Sequence, residues 1–252
     1  MKKTLTLLLI FTLSSLTSAQ DMPGMTMKDT LKEKRNEKMA MNDEMMLPMP
    51  FFTHMGMPLA VGSYNLRLAA LPTQIDGITK TEFNAQFMTG LSKTVGLMLG
   101  GSGSFDAPTL EVMFQFLTIK SKNGMNGFSP IIEFEFPLDK GAEHKVYTLV
   151  GFATTLSNSK VAFNQVLHYS PLEDLAEGSA SVVVKITKNV FFVSELSGVT
   201  EKGQRPQFNL LGGLKIKVHQ YLILGFGYQQ PISSNKEFTS QYIFQTSSDW
   251  KR

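Results

Sequence analysis

Ten of the fifteen methionines in this 252-residue chain fall between residues 22 and 57. Eight of them form three clusters, the last with a histidine: Met22-x2-Met25-x-Met27, Met41-x3-Met45-x3-Met49 and His54-Met55-x-Met57. A thioether is a neutral, soft ligand, and clusters of thioethers select Cu(I), or Ag(I), over hard cations. Such ligation releases no proton and should persist at acidic pH. Met22, Met25, Met27, Met41, Met45, Met49, His54, Met55 and Met57 are therefore the candidate metal ligands, and Cu(I) the candidate ion. Methionine is also a flexible apolar filler. The intervening run KDTLKEKRNEK, with five basic and three acidic residues, offers little for a filler to pack against.

A second set of chemistry-bearing residues is spread along the rest of the chain. Arg67, Glu82, Glu111, Glu133, Glu135, His168, Lys185, Glu195, Lys215 and Lys217 alternate with apolar neighbours, as do Asn84, Gln86, Gln115, Asn164 and Asn209. Residues two apart share one face of a strand, so the charges line one face and the apolar residues the other. Four of the acids come from the earlier half of this region and most of the bases from the later half. In a closed barrel, acids and bases would then face each other across the interior. Catalysis has weaker support. His54, His144, His168 and His219 match no ligand spacing, and no nucleophile-elbow or HExxH pattern is present. His168, with Asn164 and Ser170 nearby, reads as a hydrogen-bonded interior residue, and the chain is not expected to be an enzyme.

The elements that must carry these residues are strands. Gln207–Gln229 reads QFNLLGGLKIKVHQYLILGFGYQ, with Phe208, Leu210, Leu214, Ile216 and Val218 on one parity and Asn209, Gly213, Lys215 and Lys217 on the other. After a break at His219-Gln220, Leu222, Leu224, Phe226 and Tyr228 resume the apolar parity. About ten residues of period-two alternation, apolar on one side and small or polar on the other, is what a membrane-crossing strand needs. The same pattern predicts strands over 60–70, 80–90, 94–102, 109–119, 130–138, 144–155, 159–169, 177–186, 190–199, 206–218, 221–230 and 236–246. Connections at 91–93, 157–158, 187–189 and 219–220 are tight. Those at 71–79, 103–108, 139–143, 170–176, 200–205 and 231–235 are mostly longer, and 120–129 breaks the alternation. Tight and long connections alternate in barrels that have short turns at one end and loops at the other. Pro58, Pro130 and Pro206 are expected at strand starts, where no ladder donor is lost.

The expected fold is all-β: an antiparallel transmembrane β-barrel of about 12 strands with a flexible N-terminal arm. Residues 1–19 read as a signal peptide, with Lys2 and Lys3 before an apolar core and Thr17-Ser18-Ala19 as the cleavage site. Residues 20–57 form the methionine-rich arm, with a short helix over 29–46 that Pro48 and Pro50 would end. Residues 58–252 form the barrel. A soluble β-sandwich also alternates, but its strands are shorter and their outward faces polar. Net charge is +3 and cysteine is absent. No nucleic-acid partner, disulfide framework or thiolate metal site is implied.

Three stretches carry a resemblance: HMGMPLAVGSYNLRLAALPTQIDG from His54, GFSPIIEFEFP from Gly127 and EFTSQYIFQ from Glu237. Through them, Pro50–Trp250 resembles small outer-membrane barrels of Bacteroidetes-type bacteria, grouped with the transporter proteins of the phenol meta-cleavage family. The resemblance implies fold and compartment, the Gram-negative outer membrane with its lipid as partner, more than it implies a substrate. Such barrels end their last strand on an aromatic; here Trp250 precedes Lys251 and Arg252, and Phe244 is the other candidate. Passage or transport of a small solute or metal ion, tied to copper through the arm, is the leading functional expectation. A plugged structural or adhesive barrel and a membrane-embedded hydrolase are the alternatives.

Overall fold

The computed structural model describes residues 47–121, 125–138, 146–234 and 238–251. Residues 1–46 lie outside them, and with them the expected signal peptide, the helix over 29–46 and Met22, Met25, Met27, Met41 and Met45. His144 lies outside them too. Leu47–Lys251 fall within a single compact unit that begins at Met46.

Strands follow the alternation closely. They are β1 (Ser63–Ile75), β2 (Ile78–Gly90), β3 (Val95–Gly103), β4 (Pro108–Phe116), β5 (Ile119–Lys120), β6 (Gly127–Pro137), β7 (Tyr147–Ser157), β8 (Val161–Ser170), β9 (Leu175–Lys185), β10 (Val190–Glu201), β11 (Gln207–His219), β12 (Leu222–Pro231) and β13 (Ser240–Lys251). Sequence neighbours pair antiparallel except β4 and β5, β1 pairs with β13, and β4 pairs with β6. The sheet is therefore a closed barrel of twelve long strands, with β5 as a two-residue extension on β6. Closure leaves no open edge, and each of the twelve long strands finds ladder partners on both sides.

Side chains divide as the parity requires. Phe208, Leu210, Leu214, Phe226 and Phe244 point outward, each 42–50% exposed, and Leu196, Val182 and Val150 do the same on other strands. A continuous apolar exterior on strands of nine to thirteen residues suits lipid, not water. At the end where β1 starts and β13 stops, Tyr64 stacks on Trp250 and on Phe87. Aromatic residues of this kind favour the bilayer interface.

Four details differ from the sequence reading. Residues 71–79 are not a loop. β1 runs through Pro72 to Ile75 and turns on Asp76-Gly77, both at positive φ (49° and 81°), a tight hairpin whose second position favours glycine. Pro72 lies inside the strand, and the β1–β13 pairing skips residues 71 and 72, where the missing amide cannot serve the ladder. Pro130 likewise lies inside β6, opposite the break at Leu117-Thr118 between β4 and β5. The last strand is shifted to Ser240–Lys251 and includes Trp250, paired with Tyr64.

Candidate functional site

The barrel interior is occupied by its own chain. Residues 47–59 precede β1 and lie within the lumen, and their backbone is held by inward side chains from seven strands. Phe51 anchors the segment at 1% exposure. Its ring lies against the wall at Gly213, Gly225 and Gly227; an added Cβ there would come within 2.7, 2.8 and 3.4 Å of it. Alternation puts these three glycines on the inner face of β11 and β12, and their missing side chains form the ring's seat. Around the ring lie Leu211, Ile243, Val193 and Phe191, which with Leu47 form one buried apolar cluster.

Three charged residues grip the peptide groups of 49–53. Glu195 of β10 accepts from the amides of Phe51, Phe52 (3.1 Å) and Thr53 (2.9 Å) and from Thr53 Oγ1 (2.9 Å). Lys215 of β11 donates from Nζ to Met49 O (2.6 Å), Pro50 O (2.9 Å) and Gln245 Oε1 (2.6 Å). An ammonium has three donors, so these bonds fill its capacity. The same Nζ stands 4.6 Å from the centre of the Phe51 ring, a cation–π contact. Arg67 of β1 donates from Nη1 to Pro50 O and Phe51 O, each at 3.2 Å, and Gln245 Nε2 donates to Phe51 O (3.0 Å). Anion meets amides and cations meet carbonyls, so both ends of the peptide dipoles are satisfied. Arg67 and Lys215 are 0% and 1% exposed, and these bonds are what make such burial tolerable.

The rest of the segment is fixed on the opposite wall. Gln115 of β4 donates to Met55 O (2.6 Å), Ser129 of β6 donates to Gly56 O (2.8 Å), and Gly56 N donates to Thr155 Oγ1 of β7 (2.7 Å). His54 is buried, and its Nδ1 has no hydrogen-bond partner among the described residues. Burial, then the nearby Arg67 guanidinium and His168, lower its pKa to about 3, so this imidazole is neutral at ordinary pH.

Of the residues singled out by spacing, Arg67, Glu195 and Lys215 are brought together around residues 49–53. Met49, His54, Met55 and Met57 lie on the inserted segment itself. Glu82 accepts from Gln241 Nε2 (3.4 Å), Glu111 accepts from Ser102 Oγ, and Glu133 Oε2 meets His168 Nδ1 at 3.5 Å. Glu135 faces Glu111 directly across the β4–β6 pairing. Lys185 and Lys217 sit half-buried near the strand ends on the side where β1 starts and β13 stops. Acids and bases therefore do not simply oppose each other across the lumen. Glu82, Glu111, Glu135 and Glu177 lie in the half remote from the start of β1 and the end of β13, and Arg67, Lys185, Lys215 and Lys217 lie in the other half. Parity fixed the face of each residue but not its height along the axis, which depends on register. His168, Asn164 and Ser170 make no relay: Asn164 Oδ1 accepts from Thr155 Oγ1 (2.7 Å), and Ser170 Oγ bonds Glu173.

Sequence reasoning missed Phe51, Thr53 and Gln245. It also missed the row Met88, Met98 and Met113, which face inward at matched positions of β2, β3 and β4. Glycines recurring on the inner parity at 213, 225 and 227 were the one available signal for a buried ring.

No family model matches the chain, and no curated protein matches it. Solved structures do. The KdgM porin is 9% identical at a TM-score of 0.56, over 74% of this chain and 98% of that one. A second structure of it is in complex with disordered oligogalacturonate. The NanC porin is 6% identical, TM-score 0.54, over 75% and 99%. The COG4313 outer membrane channel from Pseudomonas putida F1 is 9% identical, TM-score 0.57, over 81% and 100%. At these identities the likeness establishes the fold.

Proposed function

We propose that this chain is an outer-membrane passage protein of a Gram-negative cell, exported by a cleaved signal at residues 1–19 and gated by its own residues 47–59. One observation carries the reading: the lumen is filled by a segment held mainly through polar groups that water can serve equally well. If the segment leaves, Arg67, Lys215 and Glu195 face an aqueous channel and regain hydration, so opening leaves no charge stranded in a dry interior. The principal loss is Phe51, whose burial contributes roughly 1.5–3 kcal/mol. A seat of this kind can exchange between closed and open states.

The remote half of the lumen favours cations. Glu82, Glu111, Glu135 and Glu177 make an acidic entrance that raises the local concentration of positive solutes. The same acids disfavour an anionic oligosaccharide such as the ligand of the KdgM porin complex. Copper is the cation that the methionine clusters Met22-Met25-Met27 and Met41-Met45-Met49 suit, so Cu(I) handling is the finer part of the proposal.

Conductance across a planar bilayer tests the passage. The wild-type protein should be mostly closed with brief cation-selective openings, and Gly225→Val, which crowds the Phe51 ring, should open it for longer. If neither protein conducts, the plugged structural barrel is correct. Replacing Met22, Met25 and Met27 by Leu in the full chain tests the arm. Loss of Cu(I) binding at both pH 5 and pH 7 supports the metal reading, and unchanged binding excludes these three as ligands.

A further inference from the structure

The residues that fill the lumen beside β2, β3 and β4 leave a cavity of about 20 Å³. That is room for one atom-sized guest and no more. Its wall is unusual in chemistry. Met88 pairs with Met98 and Met98 with Met113 in register across three adjacent strands, so three thioethers stand side by side on the inner face. All three are buried, at 7%, 1% and 3% exposure. The inserted segment closes the cavity from the other side with Met49, His54 and Met55.

We propose that this cavity is a binding site for a single Cu(I)- or Ag(I)-type ion, with Met98 and Met113 of the wall and His54 of the inserted segment as its ligands. The proposal deepens the copper reading above by placing the ion in the lumen, and it does not require residues 20–46 to bind metal. Paired cross-strand residues have Cβ atoms about 4.5–5.5 Å apart, a spacing from which two flexible thioethers can converge on one ion. Met88 stands at the edge of the set, its sulfur already 3.9 Å from Arg67 Nη2. Filler alone would explain an apolar methionine row. It does not explain why an imidazole is buried among these sulfurs with an unpartnered Nδ1. A buried nitrogen left without a partner is costly, and a bound ion supplies its missing partner. Soft sulfur with one neutral nitrogen selects a monovalent soft ion. Among the described residues no group of three His, Cys, Asp or Glu could hold a harder one.

The site also ties the two halves of the lumen device together. Its ligands come from the wall and from the segment, so an ion bound between them fastens the segment in place, and unseating the segment breaks the site.

The test uses the full-length protein in detergent, titrated with Ag(I) under competition from a soluble thioether chelator. Two variants report on the lumen: Met98→Leu with Met113→Leu, which preserves wall volume, and His54→Leu, which leaves the wall untouched should the first fail to assemble. A third, Met22→Leu with Met25→Leu and Met27→Leu, reports on the arm. The lumen variants should lose one equivalent of Ag(I), or weaken it about tenfold or more, while the arm variant retains it. X-ray absorption of the bound silver should show sulfur with one nitrogen neighbour. Unchanged stoichiometry and affinity in both lumen variants overturns the site. Loss confined to the arm variant overturns it as well while supporting the arm as the copper ligand. No Ag(I) binding by the wild-type chain overturns both.

Discussion

Replacing Glu195 by Gln should release the inserted segment without dismantling the barrel. The carboxylate accepts from the amides of Phe51, Phe52 and Thr53 and from Thr53 Oγ1. Glutamine keeps the length but has one acceptor oxygen and turns an NH2 group toward amides that are themselves donors. Bonds to a charged group contribute about 1.5–3 kcal/mol each, and neutral ones about half that. The bonds act on one short stretch and are not additive, so we expect the seat to weaken by about 2–3 kcal/mol. That corresponds to a rise of roughly 30- to 150-fold in the population of the unseated segment. The chain has no cysteine, so a single Leu47→Cys substitution provides a clean reporter. Leu47 is buried in the apolar cluster around Phe51, and its thiol can react with a charged maleimide only when the segment leaves. Labelling should accelerate by about that factor in the Glu195→Gln background, while heat-modifiable migration on gels remains. Rates within about twofold of each other, with the barrel intact, would refute the argument that Glu195 holds the segment.

Two further substitutions test the facing of the strands and the seat of the ring. Phe226→Lys puts a cation on the lipid face and should impair assembly at a cost of about 2–4 kcal/mol if it falls near the midplane. Glu135→Gln, on the inner face, should assemble normally and shift cation selectivity; equal assembly yields for the two would reverse the facing assignment. Gly225→Val places a methyl-bearing carbon where the Phe51 ring now lies at 2.8 Å, whereas an added Cβ at the outward Gly212 meets nothing within 4 Å. Only the former should speed Leu47→Cys labelling, and equal effects of Gly225→Val and Gly212→Ala would remove Phe51 from the account.

The barrel was legible because a strand writes its facing into its own sequence. Period-two alternation over β11 and β12 fixed their length, their lipid face and the inward position of Lys215. The same local rule recovered the other long strands to within a few residues. It failed where a residue's own chemistry argued for a boundary that the sheet did not need. Pro72 and Pro130 lie inside strands because the barrel tolerates a missing amide where one ladder is interrupted. The contents of the lumen were not legible. Phe51 is an ordinary apolar residue in a segment without periodicity, and its partners Arg67, Glu195, Lys215 and Gln245 lie 16 to 194 residues away in sequence. Barrel closure and register alone decide that they share one height. For the same reason Met88, Met98 and Met113 look like scattered filler in the sequence. They become one row of sulfurs only when three strands are paired and a fourth piece of chain is laid against them.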